Sequence, residues 1–458
     1  MSISYKKSIT NVITADVAVF GGGPSGFAAA VAAARTGAKV VLIEATGKLG
    51  GMSTSGLVGP FMSCYDSEGT EQIVLGIFDE VCRRAVSKGG AIHPSQTKAG
   101  STHTSYYEYG HHNVTPYLSE TLALVYDEIA LEAGVEIRFF TRFIDAVCEN
   151  GHVQYCVIAD KAGLSAVQAK QYIDCTGDGD VAVSAGAQYV LGDGEGHMQP
   201  VTLFFEVAGI DREKYLADLA EKKKQYPGAA CGRSCFFWLI DEHKSTGEWD
   251  IPKTDISIYE TSQPGRFKVN CTRMLGVDGT DPQAVSKAIV EGRRQVQKIF
   301  SFMKKYIPGC EDMMLVATGD LLGVRETRHI ACDYTLSGAE VGTRPRYEDA
   351  IATYAYYMDL HSPTGDGYTE ELTQIDGYYT IPYRSITPKG LDNLLVAGRC
   401  IDGDHYSSSA FRCMPGAMAI GQGAGVAAAV LAEDGKSTHK ADVTRIQRIL
   451  REQGAVIK

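Results

Sequence analysis

The sequence predicts an α/β fold in which one dinucleotide-binding unit is interrupted by a second, α+β segment. Three observations predict it. Residues 15–44, ADVAVFGGGPSGFAAAVAAARTGAKVVLIE, read as strand, glycine turn, Ala-rich helix and strand. A second glycine-rich strand end, CTGDGD at residues 175–180, returns to that style. Near residue 196 the chain switches to larger apolar and aromatic runs, and in its last 80 or so residues it switches back.

Each element can be justified in order. Residues 1–14 read as a tail. The apolar run Val17 to Phe20 is a short buried strand. Gly21, Gly23 and Gly26 then fit G-x-G-x-x-G, with Pro24 and Ser25 completing the turn. The first glycine permits the tight turn, the second lets a pyrophosphate approach the backbone, and the third lets helix and strand pack closely. The helix that follows offers free N–H groups and a positive dipole end to phosphate. The strand Lys39 to Ile43 ends on Glu44, 18 residues after Gly26, where an acid accepts hydrogen bonds from ribose hydroxyls. The loop KLGGMSTSGLVGPF, residues 48–61, follows directly. Its Gly50, Gly51, Met52 and Ser53 are expected to lay backbone N–H groups and hydroxyls against a second phosphate or a ring.

Apolar residues at helical spacing predict a helix over 71–92, and another is expected over 116–133 with Pro116 at its first position. Between them, residues 93–114 hold His93, His103, His111 and His112 without metal-ligand spacing, so a surface or substrate-access loop is expected and no metal site. Residues 135–159 alternate as strands around an Asn150–Gly151 hairpin turn, and Ala166 to Asp174 forms the next strand. Thr176, Gly177 and Asp178 end it, and a small-residue helix follows.

In the middle segment VTLFFEVAGI, RSCFFWLI and GRFKVNCTRMLGV read as strands. Helices are expected over 211–225 and 281–306, and a Tyr-rich helix near 346–359. The C-terminal part reads as a strand from Asn393 to Ala397, the stretch AGRCIDGD, and a Gly/Ala-rich helix opened by Pro415. The expected domains are 1–195 and 376–458 as two parts of one nucleotide-binding unit, with 196–375 inserted between them.

Composition narrows the function classes. A net charge of −11 argues against nucleic acid or an anionic membrane as partner. No uninterrupted apolar run approaches the ~20 residues of a membrane helix. The N-terminus lacks the apolar core of a signal peptide. Twelve scattered cysteines without a C-x-x-C, Cys231 and Cys235 being the closest pair, suit a reduced, cytoplasmic chain.

The GGGPSG turn with Glu44, the Gly50–Gly51 loop, CTGDGD and AGRCIDGD…PGAMAIGQGAG recur in the order of a known family. With VNCTRMLGVDGTDP, EGRRQV and LLGVRETRHIACDYTL, the chain resembles FAD-dependent oxidoreductases distantly related to the fumarate reductase and succinate dehydrogenase flavoproteins. The resemblance implies a glutathione-reductase-type FAD-binding, Rossmann-like domain with an inserted α+β substrate (cap) domain. It implies an adenine contact near Phe143, and a ribitol or pyrophosphate contact at Asp402 after Gly398. It also implies a helix start at Gly416, Ala417 and Met418 aimed at the flavin. It places His405 and Arg412 at the substrate, the arginine orienting a carboxylate or oxyanion and the histidine serving as general base. Arg325, Glu326, Arg328 and His329 form a second cluster, read as lying on a helix or turn. The cluster, with Arg325 and His329 as its catalytic candidates, either reaches the substrate from the second domain or knits the two domains together. Asn270 is a weaker candidate, and Cys64, His103, Cys413 and His405 are chemically able to link FAD covalently.

The activity implied is hydride transfer between FAD and a small hydroxylated or carboxylate-bearing molecule, with an electron partner and an oligomeric state left open. A pyridine-nucleotide disulfide reductase is excluded, because Cys64 stands alone after the Gly50–Gly51 loop and no second strand-borne GxGxxG exists. A flavin monooxygenase reduced directly by NAD(P)H and a non-catalytic FAD-binding protein remain as alternatives.

Overall fold

A computed structural model describes residues 6–107, 110–226, 235–365 and 376–458. Cys231 and the start of the RSCFFWLI run lie outside the described residues, as does the expected domain boundary at 375. The main sheet grows outward from β1 (Val12–Phe20), which leads into α1 (Pro24–Arg35) and β2 (Val40–Ile43). Two helices, α2 (Ile77–Ser87) and α3 (Ser119–Glu132), precede β3 (Glu136–Arg138). The meander β4 (Arg142–Glu149), β5 (His152–Asp160) and β6 (Gly163–Asp174) follows, then the short α4 (Asp180–Ser184). The strand order is β3-β2-β1-β6-β5-β4. Strands β1, β2, β3 and β6 are parallel, and β4 and β5 run antiparallel at one edge.

The chain then leaves this sheet. It forms β7 (Tyr189–Leu191), β8 (Phe205–Ala208), α5 (Arg212–Gln225), α6 (Phe237–Lys244), β9 (Ser257–Glu260), β10 (Arg266–Asn270), α7 (Pro282–Tyr306) and β11 (Met314–Thr318). Strands β11-β8-β10-β9 make an antiparallel sheet with its own apolar core, centred on Phe205, Phe267, Val296 and Ile299. Two small ribbons, β7 with β12 (Arg328–Ile330) and β13 (Ala350–Tyr354) with β14 (Tyr379–Pro382), flank α8 (Gly338–Gly342). The chain returns to the main sheet as β15 (Leu394–Val396), parallel to the C-terminal end of β6. It closes with α9 (His405–Phe411), α10 (Met414–Asp434) and α11 (Val443–Glu452).

The extreme proximity of α1 and α10 explains their composition. A Cβ at Gly421 would lie 2.1 Å from the Ser25 carbonyl oxygen, and one at Gly425 would lie 2.1 Å from that of Ala29. Only hydrogen fits at these two positions, four residues apart on one face. By length and composition α10 would cross a membrane, but 89% of its apolar window is buried inside the molecule.

Several sequence expectations are corrected. The helix expected over 71–92 starts only at Ile77, because Gly76 takes φ 62 and Asp66 holds the Thr70 and Glu71 N–H groups in a turn. The helix expected from 116 starts at Ser119, since Ala91 pairs with Tyr117 in an antiparallel bridge. FFWLI is not a strand but the start of α6, an instance of a short apolar run whose period cannot separate strand from buried helix. The Tyr-rich segment is not a helix: Ala350–Tyr354 is a strand buried on both faces. Arg325 to His329 are not on a helix either, and Arg328–Ile330 forms β12.

Candidate active site

At the C-terminal ends of β1 and β2 the glycine turn is built for close approach. A Cβ at Gly26 would meet the Gly21 carbonyl oxygen at 1.7 Å, and Gly21 itself takes φ 94. Helix α1 has no side-chain cap at Gly23, and a Cβ there would meet nothing within 4 Å. The start of α1 is therefore uncapped beside an open Gly23, as an anion site requires. Glu44 is buried, with Oε2 accepting the Gly22 N–H and Oε1 the Thr46 N–H, each at 2.7 Å. Each carboxylate oxygen keeps a further lone pair for a ribose hydroxyl. A Cβ at Gly51 would sit 3.0 Å from the Gly23 Cα, so turn and loop share one wall. These residues fit a dinucleotide.

Other expected contacts are placed differently. The loop hydroxyls turn inward: Ser53 Oγ donates to the Gly50 carbonyl and Thr54 Oγ1 to that of Leu49, so they shape the loop instead of offering donors. Thr176 is held by Asp174, whose carboxyl burial raises to about 6. Asp178 accepts from Thr327 and Arg399, tying the β6 end to the segment before β12. Ser25 Oγ lies 3.4 Å from the Ala397 carbonyl, and Gly398 packs against it. Phe143 stacks edge-on against Phe20 at 5.5 Å, half-buried at the sheet. Asp402 accepts the Cys332 N–H at 2.6 Å and does not line the pocket described next; its neighbour Arg399 does. Helix α10 begins at Met414 with Cys413 as its uncapped N-cap, so Cys413 and Met414 face that pocket rather than Gly416, Ala417 and Met418.

The pocket lies between the two cores and encloses about 1040 Å³ of empty space, part of it open to solvent. Met52, Val58, Pro60 and Met414 supply an apolar floor beside the uncapped start of α10, a setting that fits a flat redox ring. Tyr259 on β9 and Asn270 on β10 come from the second sheet, and Thr202 and Phe204 from the segment leading into β8. Tyr107 and His111 come from the His-rich segment, and Arg325, Tyr356, Tyr357, Asp359, His361 and Arg412 complete the wall.

Charge in this pocket is concentrated on largely buried side chains. Arg412 Nη2 donates to the Asp359 carboxylate at 3.0 Å and to the Asp359 carbonyl at 2.9 Å. Its Nε is buried without a partner among the described residues, as is Arg399 Nη1. Burial alone would raise the Asp359 carboxyl, but His361, Arg412 and Arg325 hold it well below the usual carboxylate range. Burial and the Arg325 charge press His361 well below its ordinary value, so it stands neutral. His111 Nε2 is 3.1 Å from the Tyr357 hydroxyl, and burial lowers this histidine too.

Of the sequence candidates, Arg325 and Arg412 reach the pocket, and Asn270 lies in it. His405 and His329 do not. His405 Nδ1 lies 2.8 Å from both oxygens of Glu326, and His329 Nε2 lies 3.0 Å from one of them. Burial would raise the Glu326 carboxyl, yet its two histidine partners bring it down to about 2. Burial would lower His405, and Glu326 overcomes that and raises it. The pair is an internal ion cluster, which corrects the assignment of His405 as general base. Among the candidates for a covalent flavin link, Cys413 lines the pocket with its thiol pushed by burial up to about 12; Cys64 is in the core and His103 contacts the Glu260 carbonyl. Asp193, Glu195 and His197 form an exposed trio close enough to share a cation, outside the pocket. Asp359, His361, Arg399 and the Tyr357–His111 pair were missed. The D-x-H spacing directly after the tyrosine run was the one available signal for the first two.

The family described as FAD dependent oxidoreductase matches residues 16–450. No curated protein matches the chain. Solved structures similar to it include a geranylgeranyl bacteriochlorophyll reductase-like protein from Thermoplasma acidophilum, at 14% identity over 97% of this chain and 84% of that one, TM-score 0.48. A p-nitrophenol 4-monooxygenase from Pseudomonas putida matches at 14% identity over 97% and 84%, TM-score 0.44. A flavin-dependent brominase matches at 13% identity over 95% and 83%, TM-score 0.49.

Proposed function

The chain belongs to the FAD-dependent oxidoreductase family, and from that premise we propose that it transfers a hydride between FAD and a small organic carboxylate held by Arg412. Bound FAD supplies the two-electron redox chemistry. The Gly21–Gly26 turn and the start of α1 would hold its phosphates, Glu44 its ribose, and the Met52, Cys413 and Met414 wall its ring. We read residues 1–195 and 376–458 as the FAD-binding domain and 196–375 as a cap that walls the substrate.

The observation that carries the reading is Arg412. It lies half-buried at the pocket wall, beside the uncapped start of α10, with a buried guanidinium nitrogen, Nε, lacking any partner among the described residues. A buried donor left unsatisfied is costly, and a substrate carboxylate satisfies it with a charge-assisted bond. Asp359 fixes the guanidinium plane, and Arg325 adds a second positive charge to the same wall. Excluding water strengthens each of these interactions.

Anaerobic titration of the holoenzyme with a broad panel of carboxylates tests this, with bleaching of the visible flavin band as readout. Arg412→Met is expected to keep FAD bound and to slow bleaching by about 100-fold or more. Loss of FAD from that variant would refute the role. Rapid reduction by NAD(P)H alone, with no carboxylate reducing the flavin, would favour the monooxygenase reading.

A further inference from the structure

We propose that Tyr357 and His111 form the proton acceptor for a substrate hydroxyl, so that the substrate is a hydroxylated carboxylic acid with its carboxylate at Arg412 and its hydroxyl at Tyr357. The inference rests on the reading of Arg412 given above.

The hydrogen-bond directions follow from chemistry. His111 Nδ1 lies 3.4 Å from the Thr104 carbonyl, which can only accept. A neutral His111 therefore carries its proton on Nδ1 and presents a bare Nε2. The Tyr357 hydroxyl, 3.1 Å away, donates to that nitrogen. Tyr356 in turn donates to the Tyr357 oxygen at 3.4 Å. Both Tyr357 and His111 are buried and both line the pocket. Burial keeps the Tyr357 phenol protonated far above neutrality, so it conducts a proton and does not store a charge. His111 is the store.

The surroundings favour this assignment over its competitors. The groups facing His111 are Asp359, which favours its protonation, His112, which opposes it, and the rings of Tyr107, Tyr259 and Tyr357. Asp359 itself is committed to Arg412 and His361. His361 sits with two guanidinium charges against it. His405 lies outside the pocket, bonded to Glu326. In the oxidising direction the carbinol C–H bond would break, and bound FAD would serve as the two-electron oxidant that takes up the hydride. The hydroxyl proton passes to the Tyr357 oxygen as the Tyr357 proton moves to His111 Nε2. The carbinol carbon becomes a carbonyl and the imidazole an imidazolium, and no other co-reactant is consumed.

Atrolactate, a tertiary 2-hydroxy acid with no C–H to lose, separates binding from turnover. Its affinity for the holoenzyme is compared with that of 2-phenylpropanoate, which lacks the hydroxyl, by flavin difference spectra. In the wild type atrolactate is expected to bind about 10-fold more tightly, consistent with one added hydrogen bond. Tyr357→Phe should abolish that advantage, whereas His111→Gln, which keeps the Tyr357 oxygen, should retain it; both should leave 2-phenylpropanoate affinity unchanged. With mandelate as reductant, His111→Gln should slow flavin bleaching about 100-fold and remove the acid limb of its pH profile. Equal affinity of the two acids for the wild type overturns the inference. So does failure of both to bind, or survival of the hydroxyl advantage in Tyr357→Phe. If Arg412→Met loses both acids while the hydroxyl advantage never appears, this inference alone fails; if that variant keeps both acids, the reading of Arg412 fails.

Discussion

Arg412 and His405 were read from one segment as a pair, and the fold separates them by function. Arg412 caps the last turn of α9 and points its charge at Asp359 in the pocket, while His405 at the start of the same helix is drawn to Glu326. Glu326 is the deciding residue, fully buried and bonded by two histidines and the Gln199 N–H. Removing its charge strands two histidines in the interior, so Glu326→Gln is expected to cost about 3–5 kcal/mol by urea unfolding. The pH dependence has a definite sign. Glu326 is depressed from its ordinary 4.5 to about 2, so its contribution is present above 4.5 and lost as pH falls toward 2. His405 is raised above its ordinary 6.5, so its contribution is complete below 6.5 and lost as pH rises through its folded value. The gap in stability between wild type and Glu326→Gln should therefore peak between about pH 4.5 and 6.5 and shrink on both sides. A gap constant from pH 3 to 9 would refute the ion cluster. Its Glu326–His329 part was legible from local spacing, but the tie to His405 was not, because Glu326 and His405 are 79 residues apart and no local period joins them. Arg412 was legible only because it falls just before a recognisable helix start.

Elements were legible where a local constraint dominates. The β1–α1–β2 unit appears where its glycines demand it, since Gly26 leaves no room for a side chain beneath the Gly21 carbonyl. The long α7 was legible from its amphipathic period and its Asp281 cap. β13 was not, because its residues are buried on both faces and show no alternation; only the partner strand β14 decides its form. The Gly/Ala composition of α10 allows close packing against another backbone, and the partner is α1. Gly421→Ala and Gly425→Ala should each destabilise by about 3 kcal/mol, the upper end for overpacking, because the obstacle is backbone and cannot rotate away. Gly342→Ala in α8, where a Cβ meets nothing within 4 Å, should change stability by less than about 0.5 kcal/mol. Thermal unfolding of the three variants checks the ranking, and equal effects would mean that the α1–α10 contact is not the cause.

At the scale of the whole molecule, the pocket is where the two hydrophobic cores meet. The main sheet leads into the glycine turn, and the second sheet contributes Tyr259 and Asn270 to the facing wall, with Thr202 and Phe204 from the segment before β8. Buried ties join the cores nearby: Lys268 on β10 donates to Ser119 at the start of α3, and Thr102 donates to Glu260 on β9. The loop above the nucleotide is held by the same network, since Ser119 donates to the Ser53 carbonyl. FAD binding should therefore stabilise both cores, although its phosphates and ribose would touch only one. The chain offers a direct reporter of this. Its two tryptophans, Trp238 and Trp249, both lie in the second core. Free FAD at 100 times its Kd should add about 2.7 kcal/mol to the stability of whatever unfolds with the site. Stripping the flavin should then lower the unfolding midpoint followed by tryptophan fluorescence as much as the midpoint followed by far-ultraviolet circular dichroism, and adding FAD should restore both. If the tryptophan midpoint stayed fixed while the other moved, the second core would unfold independently of the nucleotide site, and the shared pocket would not couple them.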